Sequence, residues 1–341
     1  MQLLATHSVL SPQALTKYVL SGYDIAPVSG CHIYARGVND TYWVETTDKR
    51  YMLRIYVLGW RTESEIQYEL DAISHLASKG LAVAAAVPDR CGKFIQLLGA
   101  PEGERYAVLF QFAWGKEMDD EATEAEDSFA YGKTVALIHE HSTDFKSDHK
   151  RFNLDAMHLI DEPMARIKPF LNYRPSDLAE LESLASYLKE WLDQNGPHLE
   201  KGFCHGDFHG GNGHMNQSEI TFFDFDCCGH GWRAYDAAVF RWNARLRKKE
   251  DRKWPEFIRG YRSVRQFSDV ETNATGIFIA IRHIWLMGLH TELAPSHGRG
   301  WMNDQYFTRQ REFLKAWKAE FMQAHGKFNS PLDSDAVRLS A

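Results

Sequence analysis

Four polar residues between positions 205 and 226 have types and spacing that could act on one substrate. Asp207 and Asn212 lie in the run His-Gly-Asp-Phe-His-Gly-Gly-Asn, and Asp224 and Asp226 follow on either side of a phenylalanine. A carboxylate can orient a hydroxyl group and accept its proton. Carboxylate and amide oxygens are the ligands that Mg²⁺ prefers in proteins. The segment therefore combines a candidate base, Asp207, with candidate metal ligands.

The spacing of these residues is typical of phosphoryl transfer. Four residues separate Asp207 from Asn212, as in the protein-kinase catalytic loop, where the aspartate takes the substrate proton and the asparagine holds Mg²⁺. Asp224 comes directly after the β-prone run 220–223, where a metal-holding aspartate is needed. Asp226 is either a second metal ligand or a support. The pattern predicts transfer of a phosphoryl group from a nucleotide.

A transition-metal site of a hydrolase is the alternative interpretation of the same segment. His205, Asp207 and His209 form a His-x-Asp-x-His cluster, and Cys227 and Cys228 lie nearby. Such side chains are common ligands of transition metals. This interpretation gives no function to the amide of Asn212 or to the carboxylate of Asp224. We expect His205 to form a hydrogen bond with the loop backbone and not to bind a metal.

The composition argues against several classes of protein. Of the 341 residues, 44% are hydrophobic and 25% are charged, and the net charge of −7 does not suggest a nucleic-acid-binding surface. The five cysteines are odd in number and irregularly spaced, which argues against a disulfide framework. No signal peptide is evident, and the longest apolar stretch, 276–289, is too short to span a bilayer. We expect a soluble, cytoplasmic protein with no nucleic-acid or membrane partner.

The hydrophobic pattern predicts two regions. Residues 1–112 are expected to form a mixed N-terminal lobe, since a helix predicted over 63–79 accompanies strand-like runs at 42–47, 50–56, 93–98 and 106–112. Residues 113–330 are expected to form a mostly helical lobe, with helices over 128–141, 178–195, 254–265, 275–293 and 303–325. Residues 331–341 are expected to form a tail.

These motifs resemble those of the aminoglycoside phosphotransferase and choline kinase family. That family carries His-Gly-Asp-x-His-x-x-Asn and then an apolar-Asp-aromatic-acid segment, which His205–Asn212 and Phe223–Asp226 match. Among its members, the chain is most similar to the bacterial homoserine-kinase-like and stress-response kinases. The resemblance implies an α+β, bilobal protein-kinase-like fold with a small antiparallel-sheet N-lobe and a larger helical C-lobe. It also implies ATP and Mg²⁺ as cofactors.

The resemblance further implies where the nucleotide binds. Asn39 lies in a segment similar to the family's nucleotide loop, and Arg54 stands where a phosphate-contacting lysine is expected. Arginine keeps the positive charge but offers a planar fork instead of a point charge. Glu69 matches the glutamate that pairs with this cation, and Glu65, one turn earlier, is the alternative. The segment similar to the adenine-binding hinge contributes Gln111, Phe112 and Ala113.

A hydroxyl group of a small molecule is the phosphate acceptor that the resemblance implies, and cationic compounds are among the candidates. The acceptor pocket is expected beyond Asp236. Residues there either line that pocket or pack in the core: Arg241, Trp242, Arg282, His283, Trp285 and His290. Two alternatives remain, a protein Ser/Thr kinase of the stress-response type and a nucleotide-binding pseudokinase that acts as an interaction module.

Overall fold

A computed structural model describes residues 5–118 and 125–325. The chain divides into two compact units, each assembled from separate segments of the sequence. The first unit comprises Met1–Phe152, His205–Gly229 and Asp251–Gln266, and the second comprises Asn153–Cys204, His230–Glu250 and Phe267–Ala341. The tail expected at 331–341 lies outside the described residues. The lobe boundary expected at residue 112 stays a prediction.

The helices and strands are numbered here in chain order. The helices are α1 (Pro12–Tyr18), α2 (Glu63–Ser78), α3 (Ala125–His141), α4 (Glu162–Leu171), α5 (Pro175–Asn195), α6 (Arg233–Leu246), α7 (Glu250–Arg262), α8 (Asp269–His297) and α9 (Asp304–His325). The strands are β1 (Val28–Arg36), β2 (Asp40–Thr46), β3 (Arg50–Ile55), β4 (Ile95–Ala100), β5 (Gly103–Gln111), β6 (Lys116–Glu117), β7 (Asn153–Leu154), β8 (Lys201–Cys204), β9 (Gly213–Asn216), β10 (Glu219–Phe222) and β11 (Gly229–Trp232). Among the described helices, none combines the length and apolar character needed to cross a membrane.

The antiparallel sheet of the first unit carries a hydrophobic core on one face. Its strand order is β1-β2-β3-β5-β4, and each neighbouring pair is antiparallel. Tyr42, Val44 and Leu53 are fully buried in a core that includes Leu15 of α1. Side chains alternate between the two faces of a strand, so Arg54 lies on the face opposite to Leu53. The candidate phosphate-binding cation therefore stands on the face of the sheet turned away from this core.

Helix α2 carries Glu69 on its buried side. The helix begins with a capping box, in which the Thr62 side chain accepts from the amide of Glu65 and the Glu65 side chain accepts from the amide of Thr62. Ile66, Glu69 and Ile73 are all buried and recur at helical spacing. The helix predicted over 63–79 is confirmed. The Glu65 side chain caps the start of the helix, whereas the Glu69 side chain faces the interior.

The hairpin of β9 and β10 brings the two halves of the candidate metal site together. Gly213 pairs with Phe222 in this antiparallel hairpin, and β6 lies on the other side of β9. The amide of Phe223 donates to the main-chain oxygen of Asn212 at 3.1 Å. Asn212 and Asp224, which are distant in sequence, are therefore placed at neighbouring ends of the two strands.

The aromatic and basic cluster lies in the second unit, where its aromatic residues are part of the core. Trp242, Arg282 and Trp285 are each at most 6% exposed. The guanidinium carbon of Arg282 lies 4.4 Å from the centre of the Trp285 ring. Arg241 donates from Nε to Glu250 at 2.7 Å. Of the two interpretations of this cluster, packing in the core fits these contacts, with Arg241 paired to an acid and Arg282 placed against the Trp285 ring.

Helices α3 and α7 of the first unit approach each other through two glycines. A Cβ atom on Gly132 would lie 1.9 Å from the main-chain oxygen of Phe257, and one on Gly260 would lie 2.0 Å from that of Phe129. The hydroxyl group of Tyr131 on α3 donates to the main-chain oxygen of His209 at 3.0 Å. The close helix contact thus supports the loop that carries the candidate base.

Replacing Gly132 with alanine should lower the free energy of unfolding by roughly 1–3 kcal/mol, because the added methyl group forces the two helices apart. Gly276→Ala in α8 is the matched control, since its Cβ would meet neighbouring atoms only at 3.6 Å. That variant should unfold at an unchanged or slightly higher denaturant concentration, because alanine favours the helix. Chemical denaturation measures both, and equal stability of Gly132→Ala and the parent protein would contradict the packing argument.

Candidate active site

His205 and Gly206 shape the backbone of the candidate catalytic loop. His205 is fully buried, and its Nδ1 accepts from the amide of Asp207 at 3.2 Å. Nε2 therefore carries the ring proton and donates to the main-chain oxygen of Phe223 at 3.1 Å. Gly206 has a φ of +81°, and a Cβ atom there would lie 2.1 Å from the main-chain oxygen of Cys227. His205 is thus a structural residue of the loop, as predicted.

Asp207 and Asn212 are held together by hydrogen bonds within this loop. Nδ2 of Asn212 donates to the main-chain oxygen of Asp207 at 3.0 Å, which directs the amide oxygen away from that bond. Nδ1 of His209 accepts from the amide of Gly211 at 3.0 Å, so its Nε2 is the protonated nitrogen. That nitrogen lies 3.7 Å from the Asp207 carboxylate. The loop therefore presents one carboxylate and one amide oxygen.

Asp224 leaves strand β10 in a left-handed backbone conformation. Its φ is 63° and its ψ is 57°, a region that costs a residue with a side chain about 1–2 kcal/mol. One carboxylate oxygen, Oδ1, accepts from Nη2 of Arg54 at 2.9 Å. The Asp224 side chain is still 46% exposed. The strained turn thus aims a carboxylate outward, where a cation can reach it.

Several negative charges converge on Asp224. Desolvation by the surrounding protein raises the pKa of its carboxyl group, Arg54 opposes this effect, and the charges of Asp226 and Asp207 raise the pKa further. Nearly half of the side chain faces solvent, which weakens the effect of desolvation on this pKa relative to that of the two neighbouring charges. Carboxylates that raise one another's pKa in this way favour the binding of a cation among them.

Arg54 joins two carboxylates from distant parts of the chain. Its Nη1 donates to Oε1 of Glu69 at 2.7 Å, and its Nη2 donates to Asp224 at 2.9 Å. Glu69 is fully buried, and its second oxygen accepts from the hydroxyl group of Tyr56 at 3.0 Å. Burial raises the pKa of Glu69, and the charge of Arg54 opposes that shift. Glu69 therefore pairs with Arg54, while Glu65 caps its own helix.

Asp226 is enclosed by donors from the first unit. Its Oδ2 accepts from the indole Nε1 of Trp60 at 2.7 Å and from the Asn39 amide at 3.3 Å, and its Oδ1 accepts from Nε of Arg61 at 3.0 Å. Burial would raise the pKa of Asp226, but Arg61, Arg54 and other nearby guanidinium groups hold that pKa below its ordinary value. Of the two roles considered for Asp226, support of the site fits these contacts better than metal ligation.

Sequence reasoning missed Trp60, Arg61 and Arg151. Arg151 donates to the main-chain oxygens of Glu65, Cys228 and Asp226. The available signal was a charge imbalance, because three acids in one predicted site require more positive charge than Arg54 alone supplies. Trp60 and Arg61, which lie just before the N-cap residue of α2, were candidates for this additional positive charge and hydrogen bonding.

The predicted adenine-binding segment lies beside an aromatic cluster. The rings of Phe112 and Trp43 are 5.1 Å apart, and those of Phe112 and Trp114 are 4.9 Å apart. The main-chain oxygen of Ala113 lies 2.7 Å from Nδ1 of His214, and the amide of Gln111 donates to a neighbouring main-chain oxygen at 2.8 Å. The segment is thus fixed on both sides. Its contact with a nucleotide base stays a prediction, as does that of Asn39, whose amide is bound to Asp226.

Comparison with known proteins gives a consistent identification. The family model described as "APH: Phosphotransferase enzyme family" matches residues 34–267. A homoserine kinase from Neisseria meningitidis serogroup B is 30% identical over 74% of this chain and 79% of its own length. The structure is similar to that of a microcompartment-associated aminopropanol kinase, with a TM-score of 0.75 and 23% identity over 92% of this chain and 98% of the other.

A second solved structure, an amicoumacin kinase in complex with AMP-PNP, Ca²⁺ and Ami, has a TM-score of 0.73 and 22% identity over 90% of this chain and 94% of the other. The family match extends from β1 to the end of the first unit and so contains the whole candidate site. The α+β, bilobal protein-kinase-like fold expected from the sequence is confirmed by these structural relatives. The chain belongs to the phosphotransferase enzyme family, as its motifs predicted.

Proposed function

We propose that this phosphotransferase moves the γ-phosphate of ATP to a hydroxyl group of a small molecule, with Mg²⁺ as the metal and Asp207 as the catalytic base. The observation that carries the proposal is the position of Arg54. Its guanidinium group links Glu69 and Asp224 at 2.7 Å and 2.9 Å. Protein kinases need both a strand cation paired with a helix glutamate and an aspartate that holds the metal, and the contacts of Arg54 bring these three groups together.

The donor side of the site fits a divalent metal. The Asp224 carboxylate is half exposed, and the Asn212 amide is anchored through its nitrogen, so both can offer oxygen atoms. Oxygen ligands of this kind suit Mg²⁺. The bound metal would neutralise charge on the phosphates as the phosphoryl group leaves. Arg54 would add positive charge beside the same phosphates, because its Nη2 has a second N–H besides the one that donates to Asp224.

The acceptor side depends on Asp207. Its carboxylate would accept a hydrogen bond from the acceptor hydroxyl group and orient that oxygen toward the γ-phosphate. The proton would pass to the carboxylate as the new bond forms. The protonated Nε2 of His209 lies 3.7 Å from this carboxylate. We propose residues 1–112 as the nucleotide-binding lobe and residues 113–330 as the lobe for catalysis and acceptor binding.

The names of the relatives suggest the class of acceptor. They are a homoserine kinase, an aminopropanol kinase and an amicoumacin kinase. Homoserine and aminopropanol each combine a hydroxyl group with an amine, so we propose a small amino alcohol as the acceptor, in agreement with the acidic net charge of −7. A screen of amino alcohols, hydroxy amino acids and aminocyclitols for ADP release tests this. Phosphate found by mass spectrometry on added protein instead would favour a protein kinase.

Replacing Asp207 with asparagine should reduce turnover by roughly 10²-fold to 10⁴-fold, the usual contribution of a general base, with ATP affinity nearly unchanged. Steady-state ADP release and equilibrium binding of AMP-PNP measure the two effects. Asp148→Asn, which changes an exposed acid in the same way, is the matched control and should keep full turnover. An Asp207→Asn enzyme that keeps its turnover would overturn the assignment of the base.

Chelation of divalent metal should weaken AMP-PNP binding to the parent protein, and Asp224→Asn should remove that metal dependence. We expect the gain in affinity from added Mg²⁺ to fall by about tenfold or more in this variant, in line with losses seen at other metal sites. Asp207→Asn serves as the comparison, since it should keep the Mg²⁺ effect. A variant at position 224 with the full Mg²⁺ effect would show that another group holds the metal.

A further inference from the structure

The loop between β3 and α2 lies beside the proposed metal site. It links the strand that carries Arg54 to the helix that carries Glu69, and it covers residues 56–62. The amide of Trp60 donates to the main-chain oxygen of Val57 at 3.1 Å, and the amide of Val57 donates to the Asn39 side chain at 3.2 Å. The loop is therefore a hydrogen-bonded turn in which consecutive residues have fixed positions.

Two adjacent residues of this loop bind every oxygen of Asp226. Trp60 donates to Oδ2 at 2.7 Å, and Arg61 donates from Nε to Oδ1 at 3.0 Å and from Nη2 to the main-chain oxygen at 2.8 Å. The guanidinium carbon of Arg61 lies 4.2 Å from the centre of the Trp60 ring and 5.0 Å from that of Phe152. The side chains of Arg61 and Asp226 are 7% and 5% exposed. This is a buried, oriented contact and not a surface ion pair.

The contact bears directly on Asp224, which lies two residues before Asp226. Asp224 holds a left-handed conformation that a residue with a side chain avoids unless its surroundings enforce it. On one side, the amide of Phe223 is bound to Asn212. On the other side, Asp226 is bound at its carboxylate and its main chain by the loop. The turn is therefore fixed at both ends, and its direction depends on the Asp226 contact.

We propose that Trp60 and Arg61 are positioning residues of the metal site: they hold Asp226, and through it they aim the Asp224 carboxylate at the metal. The inference rests on the proposed function. Because both oxygens of Asp226 are bound by the loop, this second carboxylate is kept away from the metal. The same loop leads directly into the start of α2. The contact between the loop and Asp226 therefore sets the positions of both the Arg54–Glu69 pair and the proposed metal ligand, Asp224.

Trp60→Phe is the smallest change that tests the proposal, since it keeps the ring and removes the indole N–H. Arg61→Lys is the second variant, because it keeps the charge but loses the planar fork whose Nε and Nη2 bind the carboxylate and the main-chain oxygen. We expect each to raise the dissociation constant of Mn²⁺, measured by electron paramagnetic resonance with saturating AMP-PNP, by about tenfold, the lower end of losses for residues that support metal ligands. The Mg²⁺ concentration for half-maximal turnover should rise equally, with a smaller change in the maximal rate.

Trp317→Phe is the matched control. Its indole N–H donates to the main-chain oxygen of Gly276 at 2.7 Å, the same length as the Trp60 bond, and it lies in the second unit. It should lose as much thermal stability as Trp60→Phe and bind Mn²⁺ like the parent protein. Unchanged Mn²⁺ affinity in Trp60→Phe and Arg61→Lys, with binding intact in the parent, overturns the positioning role alone. A parent protein that binds no Mn²⁺ with AMP-PNP overturns the proposed function as well.

Discussion

The rest of the site depends on one guanidinium group shared by two carboxylates. Arg54 comes from the sheet, Glu69 from helix α2 and Asp224 from the end of a hairpin about 170 residues later in the sequence. Glu69 is fully buried, so it requires a partner of opposite charge close by. Arginine meets this need because its planar fork can bind two acids at once. A lysine could not span both carboxylates with equally good geometry.

A balance of charge extends this constraint through the site. Asp224, Asp226 and Glu69 bring three negative charges, and Arg54, Arg61 and Arg151 bring three positive charges into contact with them or with their main chain. Removing Arg54 would leave the buried Glu69, and removing Arg61 would leave the buried Asp226, without the cation bound to its carboxylate, which is costly in a region of low polarity. The sheet, the start of α2 and the turn at Asp224 are therefore fixed by one network.

Features that depend on residues close together in the sequence could be predicted, whereas contacts between residues far apart in the sequence could not. The candidate base and amide at Asp207 and Asn212 were recognisable because their spacing is local, and α2 was recognisable because apolar residues recur at helical spacing. The choice between Glu65 and Glu69 needed the fold, since both lie on the same helix. The role of Asp226 was not predictable, because its partners on the β3–α2 loop are 165 and 166 residues away. Helices α4 and α6 were not predicted at all.

The arginine at position 54 also changes how the site can be studied and modified chemically. Nucleotide-derived labels that acylate the phosphate-binding amine of kinases need a nucleophilic lysine, and a guanidinium group does not react in this way because it stays protonated. Position 54 offers no such amine. For the same reason, lysine acetylation, which silences a phosphate-binding cation by removing its charge, cannot act at this position. Arg54 therefore keeps its positive charge when the pH changes, and acylation cannot remove that charge.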